Sequence, residues 1–172
     1  MAQRSSEDRR VRGYFGIGAE RISKPLNLGN LIRSAHAFGA SFVFTVGAHP
    51  RALDFSSDTS KSFGRIPYYQ WASVEDIQLP RDCRLVGIEL IEEAEDLPSF
   101  RHPAKAAYVL GPELGSLSPE LLAHCDHLIR IPTQFSVNVA MAGAIVMYDR
   151  IRTLGRFAPR PLSLGRSRRQ QQ

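Results

Sequence analysis

Between residues 13 and 154 the chain alternates short apolar runs with segments of helical spacing. The runs Tyr14–Ile17, Phe42–Val46, Leu85–Leu90, Tyr108–Leu110 and Leu128–Ile131 are rich in β-branched and aromatic residues and bounded by Gly, Pro or charge, as strands are. Between the first two, Leu28, Leu31, Ile32, Ala35 and Phe38 recur at helical spacing and predict a helix over 28–38, stopped by Gly39. Ser118, Pro119 and Glu120 open a second helix with a cap, a first-position proline and a first-turn acid. A third, Val139–Arg152, is apolar almost all round until its charged end and is expected to be largely buried. The segment 55–71 is rich in Ser and aromatic residues; it reads as loop, a short strand at Pro67–Gln70 and a helix start. Strands separated by helices predict an α/β fold, a parallel sheet covered on both faces.

Composition narrows the class. At 172 residues, with 43% hydrophobic and 23% charged positions, the chain holds one domain's core and is neither disordered nor fibrous. No apolar run approaches the roughly 18 residues of a membrane span, and the start has no signal-peptide core, so a cytoplasmic protein without a membrane is expected. Cys83 and Cys125 lie far apart, and His36, His49, His102, His124 and His127 are scattered, so no metal site is indicated. The formal net charge is +5, but its distribution is uneven. Residues 1–12 carry +2 and residues 155–172 carry +5, which leaves 13–154 with 13 basic and 15 acidic residues. Both ends read as basic tails, 1–12 and 155–172, flanking a slightly acidic domain at 13–154.

Gly13, Gly16 and Gly18 superficially suggest a dinucleotide fingerprint. Their spacing is wrong, and Pro25 stands where the helix should already be established, so they read as small residues easing a strand end. Three other segments carry more. In Asn27-Leu28-Gly29-Asn30-Leu31-Ile32-Arg33, a polar Gly-containing loop runs into a helix with Arg33 opposite the apolar face. That arrangement suits an anion, although capping by Asn27 with a solvated Arg33 explains the residues equally well. In Val109-Leu110-Gly111-Pro112-Glu113-Leu114-Gly115, a buried strand ends in a turn where a ligand could approach bare backbone beside the Glu113 carboxylate. An ordinary strand-to-helix turn is the alternative. In the third segment, Ile131-Pro132 leads through Thr133, Gln134 and Phe135 to Ser136-Val137-Asn138-Val139-Ala140. Ser136 or Asn138 can cap the helix, so the other is free for a ligand or merely redundant.

Together and in order, these segments resemble the motifs of the SpoU (TrmH-like) branch of the SPOUT RNA methyltransferases: N-x-G-N-x-x-R before a helix, a G-x-E-x-G turn, and I-P followed by S-x-N-x-x-x-A-x. The resemblance implies a SPOUT fold, whose C-terminal part threads a loop to make a deep trefoil knot, an exception to unknotted chains. It implies S-adenosyl-L-methionine as cofactor, held by Ile88, Glu89, Leu110, Gly111, Pro112, Glu113, Leu114, Gly115, Ile131, Pro132, Ser136, Val137, Asn138 and Ala140. It implies an RNA (ribose-2'-O)-methyltransferase acting on tRNA or rRNA as a homodimer, with catalytic positions at Arg33, Asn27, Glu113, Ser136 and Asn138. A guanidinium stays protonated in proteins, so Arg33 is read as a phosphate clamp and oxyanion stabiliser rather than a base. Arg21, Lys24 and Arg65 are candidate basic neighbours, and Phe63, Tyr68, Tyr69 and Trp71 could stack on bases or pack internally.

The third motif departs from the family pattern. Thr133, Gln134 and Phe135 form a shorter bridge than many relatives carry, which points to altered contacts at one end of the cofactor. With its first strand beginning by residue 14, the chain resembles the minimal members without a separate RNA-binding domain, which favours tRNA over rRNA. The competing expectations are a catalytically inactive knotted RNA-binding or assembly protein, and a base methyltransferase.

Overall fold

The computed structural model describes residues 13–53, 64–155 and 157. The apolar runs and the short strand expected near residue 68 form Tyr14–Glu20 (β1), Phe42–Val46 (β2), Tyr68–Trp71 (β3), Arg84–Ile88 (β4), Lys105–Leu110 (β6) and His127–Arg130 (β7), and the acidic pair Glu95–Asp96 (β5) adds a strand that the sequence pattern does not announce. The helices are Pro25–Ala37 (α1), Pro119–His124 (α2) and Val139–Leu154 (α3). Among the described residues the seven strands make one parallel sheet in the order β3-β2-β1-β6-β4-β7-β5. The registers Ala19↔Leu110, Ile88↔Leu110 and Ile88↔Ile129 bring the carboxyl ends of β1, β6, β4 and β7 to one edge.

Both faces are covered. On one, α1 and α3 bury Leu28, Leu31, Ile32, Val146 and Met147 against Ile17, Val43, Val86, Tyr108 and Ile129. Each fully buried aliphatic side chain contributes about 1.5–3 kcal/mol, so the apolar stripe, more than local propensity, holds these helices. On the other face, Leu117 and Leu121 at the start of α2 lie with Phe42, Phe44, Leu85 and Val109.

The structure departs from the sequence expectations at four places, each for a physical reason. First, β1 runs on to Glu20, so Gly16 and Gly18 sit inside a strand instead of easing its end. A Cβ at Gly16 would overlap the Phe42 ring, and one at Gly18 would overlap both the Phe44 carbonyl oxygen and its ring; the glycines make room for this neighbouring strand. Second, α1 begins at Pro25, not at residue 28, because proline's fixed φ and missing N–H suit a first helical position. Third, α3 leaves Met141 and Tyr148 more than half exposed, so it is not buried all round. Fourth, no helix follows β3: residues 72–76 are bends and turns and 77–80 have no regular structure, with Ser73 N and Oγ donating to the Asp76 carboxylate.

The charged end of α3 is anchored inside the protein. Arg150 is fully buried at the amino ends of β1 and β6, donating to the carbonyls of Pro103 (2.6 Å), Ala104 (2.8 Å) and Tyr14 (3.2 Å) and to the Tyr108 hydroxyl (3.1 Å). His102 sits between Tyr108 Oη (Nδ1, 2.6 Å) and Asp149 Oδ2 (Nε2, 3.0 Å). The acceptor-only carboxylate assigns the proton to Nε2, so Nδ1 accepts from the Tyr108 hydroxyl, whose pKa burial pushes up to about 12. Burial holds the His102 imidazole below its usual pKa, against the opposing pull of Asp149. The neutral ring is therefore the folded form. Its contribution is fully present above pH 6.5 and is lost as pH falls from there towards the lowered folded value, because the unfolded chain takes the proton first. Denaturant titrations between about pH 8 and 5 should show stability falling on acidification by at most about 1.4 kcal/mol per pH unit from this group. A His102→Gln variant should flatten that slope; an unchanged slope would remove the assignment.

Among the described residues no helix is long and apolar enough to cross a membrane, and no group of three or more His, Cys, Asp or Glu could hold a metal ion. Phe63 and the tail segments 1–12 and 158–172 lie outside the described residues.

Candidate active site

Open parallel sheets gather their connecting loops at the carboxyl ends of the strands, and ligand clefts form there. In this chain the loops after β4, β6 and β7 enclose a cleft of about 360 Å³, within the range of small-molecule sites, about 300–1,000 Å³. Its walls are Ile88, Glu89 and Leu90 after β4; Leu110 to Gly115 after β6; and Ile131, Thr133, Ser136, Val137 and Asn138 after β7. Lys24 and Asn27 at the start of α1, with Val139 and Ala142 of α3, close it.

A polar chain ties the three motif segments together at this cleft. Asn138 caps α3, its Oδ1 accepting from Ala140 N (2.9 Å) and Met141 N (3.3 Å). That orientation turns its amide NH₂ towards Asn27, whose Oδ1 accepts at 3.0 Å. The Asn27 NH₂ must then face the other way, and it donates to Glu113 Oε1 at 3.1 Å. The relay has one consistent polarity, ending on a carboxylate that can only accept. Glu113 also accepts from Lys24 N (2.9 Å), Ser23 N (3.0 Å) and Ser23 Oγ (3.0 Å), so it serves as the acceptor that the α1 N-terminus lacks in its own Lys24. Burial raises the Glu113 pKa, but these donors outweigh it and hold the carboxyl below its usual value.

The loop between β6 and α2 is fixed from beneath as well. Glu89 Oε2 accepts from Leu117 N at 2.8 Å, and its Oε1 accepts from Leu90 N at 2.9 Å. The buried Glu20 accepts from Ser118 N at 2.7 Å and from the Ser118 hydroxyl. Arg21 donates to the Ser116 carbonyl at 2.8 Å. At Gly111 a Cβ would come within 3.2 Å of Leu117 N, so the backbone stays bare where this loop and the cleft meet.

Most of the residues singled out in the sequence converge here. Ile88, Glu89, Leu110, Gly111, Pro112, Glu113, Leu114, Gly115, Ile131, Ser136, Val137 and Asn138 all line the cleft. Pro132 instead faces an adjoining hollow of about 450 Å³, and Ala140 is buried in α3. Asn27 lies in the first turn of α1 and not in a loop before it; its partners explain why it does not cap its own helix. Asn138, not Ser136, is the α3 cap; Ser136 is exposed on the preceding loop. Arg33 is exposed on α1, outside the cleft of its own chain, and has no hydrogen-bond or ion-pair partner among the described residues. Lys24, read from the sequence as a basic neighbour of Arg33, lines the cleft too, as do Thr133 of the shortened bridge and Val139 and Ala142 of the third motif; Leu90 lines it without a signal beyond its adjacency to β4.

A family model described as the SpoU rRNA Methylase family matches residues 15–148. The mouse tRNA (guanosine(18)-2'-O)-methyltransferase TARBP1 is 28% identical over 147 residues, covering 77% of this chain and 9% of the mouse protein. The Escherichia coli K12 tRNA (guanosine(18)-2'-O)-methyltransferase is 25% identical over 136 residues, 76% of this chain and 59% of that protein. An AdoMet-bound rRNA methyltransferase from Sinorhizobium meliloti superposes with a TM-score of 0.73 at 29% identity, covering 83% of this chain and 57% of that one. The chain thus spans less than two thirds of each of these relatives.

Proposed function

Because the chain belongs to the SpoU rRNA Methylase family, we propose that it is an S-adenosyl-L-methionine-dependent RNA methyltransferase that acts on a ribose 2'-hydroxyl, with tRNA as the first RNA to test. The observation that carries this reading is the relay Asn138–Asn27–Glu113, which joins all three motif segments around one cleft at the strand ends. Family membership likewise implies the C-terminal trefoil knot within 13–154.

The cleft fits the cofactor. Its volume suits a small molecule, its walls at Leu110, Gly111 and Ile131 offer strand-end backbone, and Glu89 and Glu113 make its polar lining suited to a cationic group. When bound, S-adenosylmethionine supplies a methyl group activated by a sulfonium. The chain's own task is to hold the acceptor oxygen in line and to stabilise the charge that develops as it loses its proton. Glu113, Asn27 and Asn138 are engaged with one another and with backbone N–H groups, so their role is to fix the cleft's geometry. Arg33 is the group left to meet substrate phosphate and oxyanion, through its planar fork.

Arg33 lies outside its own chain's cleft, which favours a homodimer in which the partner subunit's Arg33 completes the site. The exposed apolar side chains of Leu26 on α1 and of Met141 and Tyr148 on α3 supply a face for such an association.

Calorimetry with S-adenosylmethionine, followed by nucleoside analysis of RNA incubated with labelled cofactor, tests the proposal. Binding plus a labelled 2'-O-methylnucleoside is expected. No binding would favour a non-catalytic RNA-binding protein, and a labelled base would make the chain a base methyltransferase. Since 13–154 is slightly acidic, general attraction to RNA is assigned to the Arg-rich 155–172. Deleting that segment should weaken RNA binding and flatten its salt dependence while sparing cofactor affinity. Unchanged RNA affinity at low salt would refute this.

A further inference from the structure

The connection from β4 to β5 has an unusual course. β4 and β5 lie on opposite sides of β7, both parallel to it, with Ile129 in register with Ile88 on one side and Glu95 on the other. Residues 89–94 must therefore arch across the carboxyl end of β7, where the chain itself continues into Ile131 and the third motif. Backbone pairing holds this arch weakly. Its last ladder bond to β7 on the β4 side is Glu89 N to Ile129 O (2.9 Å), and β5 contributes just two residues, Glu95 and Asp96.

One side chain spans the gap. From the final position of β7, Arg130 donates through Nε to Asp96 Oδ1 (2.7 Å) and through Nη1 to the carbonyls of Ile91 (3.1 Å) and Glu92 (3.4 Å). The guanidinium thus bonds both to the arch and to the strand at its far foot. The arch matters for the cleft because Glu89 and Leu90 form one of its lips, while Ile131 and Thr133, directly after Arg130, form another. Leu90 and Thr133 also border the adjoining hollow that Arg130 and Asp96 line. A shift of the arch would move both lips at once.

We infer that Arg130 is a positioning residue for the ligand of the cleft: with Asp96 it latches the 89–94 arch to the end of β7 and sets the separation of the lips that grip the cofactor. The identity of the ligand rests on the methyltransferase reading; the latch itself rests on the contacts above. Lysine cannot reproduce it, because one ammonium cannot hold a carboxylate and two carbonyls in the fork's fixed geometry.

The test measures S-adenosylmethionine affinity by calorimetry and amide exchange over 89–96 in the full chain. Arg130→Ala and Arg130→Lys should each bind the cofactor about tenfold more weakly. kcat at saturating cofactor should stay within about threefold, since the reacting groups are untouched. Exchange should accelerate at the arch without change in the β1–β6 centre. Wild-type affinity in either variant, or unaltered exchange at the arch, would overturn the proposal. Should Arg130→Ala fail to fold, Asp96→Asn leaves the arginine on the carbonyls and removes its charged partner; a loss of about threefold is then expected, and no loss would overturn the latch. If the wild type binds no S-adenosylmethionine, the functional reading falls, whereas the exchange measurement without cofactor still decides for or against the latch.

Discussion

Replacing Arg33 with Ala is expected to lower the methyl-transfer rate at saturating substrates about 10²–10³-fold, the loss typical of removing one preorganised donor to a developing oxyanion. Cofactor affinity should change less than about twofold, because the side chain does not line its own chain's cleft and makes no hydrogen bond or ion pair among the described residues. Arg33→Lys separates two roles. Lysine keeps the positive charge but not the planar pair of donors, so it should restore RNA affinity more than turnover. Single-turnover methylation with labelled cofactor, alongside filter binding of RNA, reads both. Near-full turnover in the lysine variant would make a specific arginine role untenable. If a partner's arginine completes each site, mixing Arg33→Ala chains with chains disabled at the cleft should recover part of the activity.

A second large effect is expected at Asn27, and it is chiefly one of stability. The buried amide links Asn138 to Glu113, and its polarity is dictated by the acceptors and donors at either end. Asn27→Asp keeps the acceptor for Asn138 but places an oxygen opposite Glu113 Oε1, where an N–H donated before. The lost hydrogen bond and the carboxylate repulsion together should cost at least about 2 kcal/mol at pH 7. The pH dependence distinguishes this cause from simple disruption. In the wild type, Glu113 has a lowered folded pKa; its contribution is present above the ordinary carboxyl value of 4.5 and is lost as pH falls through the lowered one. In the variant, two facing carboxylates compete for one proton, so the folded state binds a proton more readily than the unfolded chain. Stability relative to wild type should then rise on acidification from about pH 7 to 5. Denaturant titrations of both proteins over that range isolate the difference, since His102 contributes equally to each. A parallel pair of profiles would show that the relay's polarity is unimportant. Asn27→Ala, which removes the donor without adding charge, should be destabilised with no such recovery.

Much of the site could be read one segment at a time, and the reasons differ by residue. Gly111 and Glu113 follow a strand run and precede a clear helix start at Ser118, so a strand-end loop was visible from local pattern. Asn138 stood directly before an apolar helix, where a cap belongs. Local pattern puts Asn27 in a loop before the helix, because the acceptor that stands in at the start of α1 lies 86 positions away, beyond its reach. The same holds for Gly16 and Gly18, whose reason is Phe42 and Phe44 on the neighbouring strand. Arg150 belongs to the charged end of the third helix, and nothing near it in sequence announces the carbonyls of Tyr14, Pro103 and Ala104 that it bonds.

By itself the sequence determined the alternation of elements, the parallel α/β class and the three ordered motifs, because hydrophobic period, caps and turn residues are local properties of the chain. The tertiary structure decided which of the motif residues spend their polar groups on one another and which, like Arg33, have no such partner among the described residues. It also decided that Arg130 bridges to an arch belonging to another connection. Those outcomes depend on strand order and on the direction of each donor, and a parallel sheet brings together residues whose separation along the chain carries no such information.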